Sequence, residues 1–318
     1  MRLHSSFTVR IRPIPPYSFE LTVRKPAGWP LFSPLEISEG GITWTATHLE
    51  GELVGIKLSS KGSVDRPLLN AEVFTKKPVP ESVRKRMIEM TTHELGADED
   101  LSEFYAMARQ DPFLKHAVDD LRGMHNTMTS TIFPDAVLAI LLQMTGTKRF
   151  EQMMNCMLAK YGDKAEFDGH RIATWPTPEK LARTPASETK KTCNLGYRGD
   201  HIYKLSNKIA ADGFPSMEEL EKLSPVEVKE MLLELPGIGD YSADIINPHG
   251  GFPIDVWSGD IFGMLFFGKE PEHVKKELDR VKQEGIRRWG KWSWHAFFYV
   301  VQDLESLSKK LGMRLRLQ

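Results

Sequence analysis

Apolar and polar side chains alternate in Phe7-Thr8-Val9-Arg10-Ile11-Arg12, and the same period of two returns over 19–23, 42–47 and 53–58. Such a period sorts side chains onto the two faces of a strand. Gly40-Gly41 and Glu50-Gly51 punctuate the runs as turns. The pattern predicts an antiparallel sheet of four or five strands within residues 7–75.

From about residue 80 the period becomes helical. Pro80-Glu81-Ser82 opens one helix and Asp100-Leu101-Ser102 another. Over 135–161, Val137, Leu138, Ile140, Leu141, Met144, Phe150, Met153, Met154 and Met157 recur at three- and four-residue intervals, which predicts two helices packed on a core. Residues 163–189 are polar and proline-rich and read as a loop with one short helix. Further helices are predicted over 197–211, 216–222, 225–235, 271–289 and 292–311. The expected architecture is α+β, with an N-terminal antiparallel β-sheet domain (1–78) ahead of a mostly α-helical body (79–318).

Composition narrows the function classes. With 41% hydrophobic and 27% charged residues among 318, the chain has a globular balance. No apolar run is long enough to span a bilayer, and the first residues lack the apolar core of a signal peptide, so a cytoplasmic protein without membrane contact is expected. Cys156 and Cys193 are too few for a zinc or iron–sulfur centre and read as reduced structural residues. The histidines show no metal-ligand spacing, so no metal site is expected. A net charge of −1 does not favour nucleic acid. A nucleic-acid partner would have to be held by local contacts.

Such a contact is written in Leu235-Pro236-Gly237-Ile238-Gly239, between two helical patterns. Pro236 ends the first helix, and the glycines permit a tight turn with close backbone approach. Ile238 points back to the core. The amides of Gly237 and Gly239 then face outward at the start of a helix opened by Asp240-Tyr241, where they can bind phosphate without a lysine. Downstream, Gly250-Gly251-Phe252-Pro253-Ile254-Asp255 leads from a glycine-rich loop into an apolar helix. Asp255 suits the N-cap, and it also suits chemistry. Cleaving a base from deoxyribose builds positive charge on the sugar, which a fixed carboxylate stabilises while helping to activate water.

Leu235-Pro236-Gly237-Ile238-Gly239 followed by Pro253-Ile254-Asp255-Val256 resembles the helix-hairpin-helix DNA glycosylases, with the motif at about 225–247. Asn194-Leu195-Gly196-Tyr197-Arg198 is similar to a segment of the 8-oxoguanine glycosylases. The resemblance implies base excision repair by base flipping, on double-stranded DNA containing a damaged base. The expected enzyme is a nucleoid-associated monomer. It gives Asp255 the catalytic role, with Asp260 as the alternative because the 14-residue gap from Tyr241 is short. Gly237, Ile238, Gly239 and Tyr241 would hold the DNA backbone. Bifunctional members carry a lysine where this chain has Tyr241, so a monofunctional glycosylase without lyase activity is expected. The resemblance calls for no organic cofactor, though a monovalent cation could sit at the hairpin.

A flipping enzyme fills the vacated stack with a side chain. Gln143 and Met144 match the family's wedge loop, although Met144 also fits a core position. Tyr241, Trp257 and Phe133 are candidates for the base pocket, where an aromatic face would attract a cationic alkylated purine such as 3-methyladenine. Lys148, Arg149, Lys190, Lys191 and Arg198 could meet phosphates. An oxidised-purine glycosylase and a non-catalytic hairpin module that binds DNA backbone are the other readings.

Overall fold

The computed structural model describes residues 1–24, 37–127, 129–247, 249–272 and 275–315. In chain order, the elements up to the first long helix are β1 (Ser5–Ile11), α1 (Phe19–Val23), β2 (Ile37–Glu39), β3 (Ile42–Leu49), β4 (Glu52–Ser60), β5 (Leu69–Thr75) and α2 (Glu81–Glu94). Then come α3 (Ser102–Ala108), α4 (Leu114–Asp120), α5 (Ile132–Leu142), α6 (Thr147–Tyr161), β6 (Lys164–Phe167), β7 (His170–Ala173), α7 (Pro178–Ala182), α8 (Ala186–Cys193) and α9 (Arg198–Asp212). The chain continues through α10 (Met217–Leu220), α11 (Pro225–Leu233), α12 (Asp240–Ile246), α13 (Val256–Phe267), α14 (Lys275–Trp289), α15 (Ser293–Gln302) and α16 (Leu304–Leu311).

These elements form two compact units, one of residues 1–100 and 123–217, the other of residues 101–122 and 218–318. The division does not follow the expected boundary at 78/79. The sheet shares its unit with α2 and α5–α9, and its apolar faces are covered by α1 and α2 on one side and by residues 165–172 on the other.

In the first unit the antiparallel sheet has the order β1-β5-β4-β3-β2. One face buries Ile11, Val54, Ile56, Leu58, Leu69, Ala71 and Val73 beneath Tyr17, Phe19 and Met87. Phe19–Val23, expected as a strand, is a helical turn. Ser18 caps it by accepting from the Leu21 amide at 3.3 Å, and this local bond outweighs the alternation. The missing sheet partner is β5, which pairs with both β1 and β4.

The opposite face is covered by the β6–β7 hairpin, where a loop was expected. Phe167 pairs with His170 around the two-residue turn Asp168-Gly169, and both turn residues have positive φ. Asp-Gly is a strong hairpin signal and was present in the sequence. Asp168 anchors the turn by accepting from Trp44 Nε1 at 2.7 Å and pairing with Lys57 at 2.8 Å. Phe167 packs so closely on β4 that a Cβ on Gly55 would lie 2.4 Å from its ring.

Helix α5 is buried almost all round, from Ile132 through Leu141. Cys156 of α6 and Cys193 of α8 are joined by a disulfide rather than reduced, with sulfurs 2.00 Å apart. Spacing alone could not pair them, because 37 residues separate them.

The second unit is helical. Its core includes Phe252, Phe262, Trp289 and Phe297, with ring centroids 4.9–6.0 Å apart. Tyr105 and Tyr299 share a buried hydrogen bond of 2.8 Å. Among the described residues no helix is long and apolar enough to cross a membrane.

Candidate active site

The hairpin belongs to the second unit. Helix α11 starts in a full capping box. Ser224 accepts from the Glu227 amide at 3.3 Å, while the Glu227 carboxylate accepts from the Ser224 amide at 2.9 Å. The chain then turns through Leu235-Pro236-Gly237-Ile238-Gly239. The Ile238 amide donates to Leu235 O at 3.1 Å, and Ile238 is buried, as its position between the glycines predicted. Gly237 has φ +83°, which glycine adopts without strain. A Cβ on Gly239 would meet nothing within 4 Å, so the outer side of the turn is open. The first amides of α12 have no acceptor within the helix. With two turns only, α12 adds little dipole.

Four charges tie this corner together. Lys229 Nζ of α11 lies 2.6 Å from Asp240 and 2.8 Å from Asp244. Lys282 of α14 pairs with the same two carboxylates, at 2.5 Å in the case of Asp244. Burial works against the charged form of Lys229, but its bonds to Asp240 and Asp244 prevail and raise its pKa. Burial likewise opposes the Asp240 carboxylate, yet the two ammonium groups hold it below the usual range. Sequence reading missed the network because α14 comes from 35 residues or more downstream of the hairpin.

Tight packing carries the chain from α12 to Asp255. A Cβ on Gly250 would lie 2.7 Å from Trp294 Cβ, and one on Gly251 would lie 2.7 Å from Asp244 Cβ. Ser293 Oγ donates to Gly251 O at 3.1 Å. Phe252 then plugs into the aromatic core with no exposed surface. Only glycines fit the first two positions, and the buried ring fixes where the next residues emerge.

Three residues on, Asp255 is the N-cap of α13. Its Oδ1 accepts from the Ser258 amide at 2.8 Å and the Ser258 hydroxyl at 2.7 Å. The Ser258 Oγ in turn accepts from the Asp255 amide at 2.9 Å. A cap of this kind contributes about 1 kcal/mol. Asp255 is half-buried, and its Oδ2 takes no hydrogen bond among the described residues. Ser258 orients the carboxylate while leaving one oxygen for other work, a role that sequence reading did not assign.

Tyr241, at the start of α12, is close enough to Asp255 to register its charge. Burial and, after it, the Asp255 carboxylate push the Tyr241 hydroxyl well above its ordinary pKa. Gly251 packs against Asp244 of α12, so the loop that leads to Asp255 runs along the hairpin helix. Trp257 lies half-buried two residues into the same capped turn. Asp260 is different in kind, lying within α13 with 1% of its surface exposed.

The remaining candidates belong to the first unit. Gln143 is the C-cap of α5. Met144 follows with φ +46° and is 91% exposed, so it is not a core methionine. The left-handed conformation costs a non-glycine residue about 1–2 kcal/mol. Phe133 is buried at the other end of α5, ten residues before Gln143 and so about 15 Å away along the axis. It lines a cavity of about 440 Å³ together with Glu94, Trp175 and His48.

Of the basic residues proposed for phosphate contact, Arg198 is 8% exposed and bonds to backbone carbonyls, and Lys190 pairs with Asp200 at 2.7 Å. Among the described residues no group of three or more His, Cys, Asp or Glu side chains could hold a metal ion.

No protein-family model matches the chain. It is 23% identical over 231 residues to the DNA-3-methyladenine glycosylase of Bacillus subtilis, covering 70% of this chain and 74% of that protein. It is 22% identical over 222 residues to a probable N-glycosylase/DNA lyase of Methanothermobacter thermautotrophicus, covering 63% of this chain and 70% of that one. Among solved structures, the 3-methyladenine DNA glycosylase from Archaeoglobus fulgidus superposes with a TM-score of 0.76 at 18% identity, over 96% of this chain and all of that one. The 8-oxoguanine glycosylase/lyase of Clostridium acetobutylicum, in complex with double-stranded DNA, superposes with a TM-score of 0.71 at 17% identity, over 98% of this chain and 100% of that one.

Proposed function

We propose that this chain, which is similar in sequence and fold to DNA glycosylases, removes an alkylated purine from duplex DNA as a monofunctional helix-hairpin-helix glycosylase. One observation carries the reading. A half-buried carboxylate, Asp255, is oriented by Ser258 at the end of a loop that packs through Gly251 on Asp244 of α12, the second helix of a hairpin whose outer backbone is open.

The chemistry follows from that placement. The amides of Gly237 and Gly239 hold a DNA phosphate, which fixes the sugar of an everted nucleotide. As the bond from sugar to base lengthens, positive charge grows on the sugar, and the Asp255 carboxylate stabilises it. In this reading the second carboxylate oxygen accepts a proton from the incoming water. Tyr241 and Trp257, both of the second unit, supply aromatic surface for the base. In the first unit, the exposed Met144 is the candidate for filling a vacated stack.

Lack of lyase activity is supported by the state of the two lysines at the hairpin. A lyase needs a neutral amine to attack the sugar carbon. Tyr241 occupies the position of the family's lysine, while Lys229 and Lys282 are each held by two carboxylates. The raised pKa of Lys229 keeps it protonated.

A panel of duplexes, each with one damaged base, scored for abasic sites tests the reading. Release of an alkylated purine, with no covalent product on borohydride reduction, is the expected result. Preferential release of 8-oxoguanine would move the substrate to oxidised purines. A strong borohydride adduct would overturn the monofunctional assignment, and binding of every duplex without release of any base would leave a DNA-binding module.

A further inference from the structure

The exposed methionine is held in place by a buried arginine. Helix α5 ends at Leu142, and the carbonyls of the residues that close it need donors from outside the helix. The Arg198 guanidinium, from the first position of α9, supplies them. It donates through Nη2 to Gln143 O and to Met144 O, the latter at 3.3 Å. A cation at a helix C-terminus is also favoured by the helix dipole. These two carbonyls bracket the peptide that sets Met144 in its left-handed conformation, with its side chain 91% exposed. Both features are unfavourable in isolation, since an unbranched apolar side chain gains nothing from water and a non-glycine residue resists positive φ.

The mount of Arg198 is itself braced. Arg149, near the start of α6, donates to Asn194 O, just before the Gly196-Tyr197-Arg198 corner. The Cys156–Cys193 disulfide ties α6 to α8 immediately upstream of that carbonyl. The Tyr197 ring lies 4.8 Å below the Arg198 guanidinium. Local strain held by a surrounding bond network marks a functional position rather than a packing one.

We infer that Arg198 is the positioning residue of the wedge, a buried guanidinium that caps α5 and thereby presents Met144 to the DNA stack. The inference rests on the glycosylase reading. Arg198 touches neither the substrate nor the reacting atoms, and it acts through the backbone of Gln143 and Met144.

The test uses the full chain with 2-aminopurine opposite an abasic-site analogue, because this base brightens when its stacking is disturbed, and with the matching undamaged duplex. The wild-type protein should prefer the abasic duplex and raise its fluorescence. Arg198→Met and Met144→Ala should each reduce that preference by about tenfold and abolish the rise, with binding to undamaged duplex kept within about twofold. The double variant should be no worse than either single one, since both remove one device. Arg198→Lys keeps the charge but not the reach of the guanidinium and should fall between, and it decides the question if Arg198→Met does not fold. An Arg198 variant that loses only thermal stability, with preference and fluorescence intact, would overturn the inference, as would losses that add in the double variant. A wild-type protein that binds no duplex would bring down the glycosylase reading itself.

Discussion

Replacing Asp255 separates two roles that one side chain combines. As an N-cap it accepts from the Ser258 amide and hydroxyl through Oδ1 alone. Asparagine presents the same oxygen at the same place, and Asn and Asp cap about equally well. Asp255→Asn should therefore change stability by less than about 0.5 kcal/mol. Asp255→Ala loses the cap and should cost about 1 kcal/mol, or a few degrees in the transition of the second unit.

The chemical consequence is the same for both. A unit charge about 4 Å from the developing cation, at an effective dielectric of about 20, contributes about 4 kcal/mol to the transition state. Losing it slows base release about a thousandfold. The assay is single-turnover release of the base from the damaged duplex that the panel selects, alongside calorimetry and duplex binding. The expected pattern is that both variants bind DNA, both are about a thousandfold slower, and only the alanine variant is less stable. An asparagine variant within about tenfold of wild-type rate would refute the reasoning and leave Asp255 as a cap. If Asp260→Asn were inactive in the same experiment, the role would pass to that residue.

Three further outcomes follow from the first unit. Reduction, or Cys156→Ser, reopens a 37-residue loop in the unfolded chain and should lower the stability of this unit by about 3–4 kcal/mol, read as the shift in its thermal transition with and without reductant; an unchanged transition would show that the disulfide does not form. Burial pushes the Glu94 and Asp135 carboxyls each up to about 7, and the two charges oppose one another. Between their unfolded pKa values and about 7 the unfolded state has lost protons that the folded state retains, so stability should fall as pH rises from about 4.5 to 7 and level off above. Glu94→Gln should flatten that slope, and an unaltered pH profile would count against the burial argument. Gly55→Ala would set a methyl group 2.4 Å from the Phe167 ring and should cost about 1–3 kcal/mol, measured by denaturant unfolding; a neutral result would mean that the β6–β7 hairpin does not press on β4.

Periodicity and local chemistry carried much of this fold. The alternation in β1, β3 and β4 and the helical spacing from residue 80 are visible because each element must turn an apolar face to a core. The hairpin and the Asp255 cap are local as well, and Leu235–Gly239 and Asp255–Ser258 form mostly through neighbours in sequence. Other features depend on partners far along the chain. Phe19–Val23 alternates like a strand, but Ser18 caps it as a helix. Cys156 and Cys193 meet only because α6 and α8 pack together. Met144 has the spacing of a core residue, and the bond from Arg198, more than fifty positions away, sets it in water instead. Lys229 and Lys282 reach Asp240 and Asp244 only once α11, α12 and α14 are assembled. Short-range hydrogen bonds and amphipathic period are properties of a segment, whereas charge pairing, disulfide linkage and the direction of an exposed side chain are decided by which segments the core brings together.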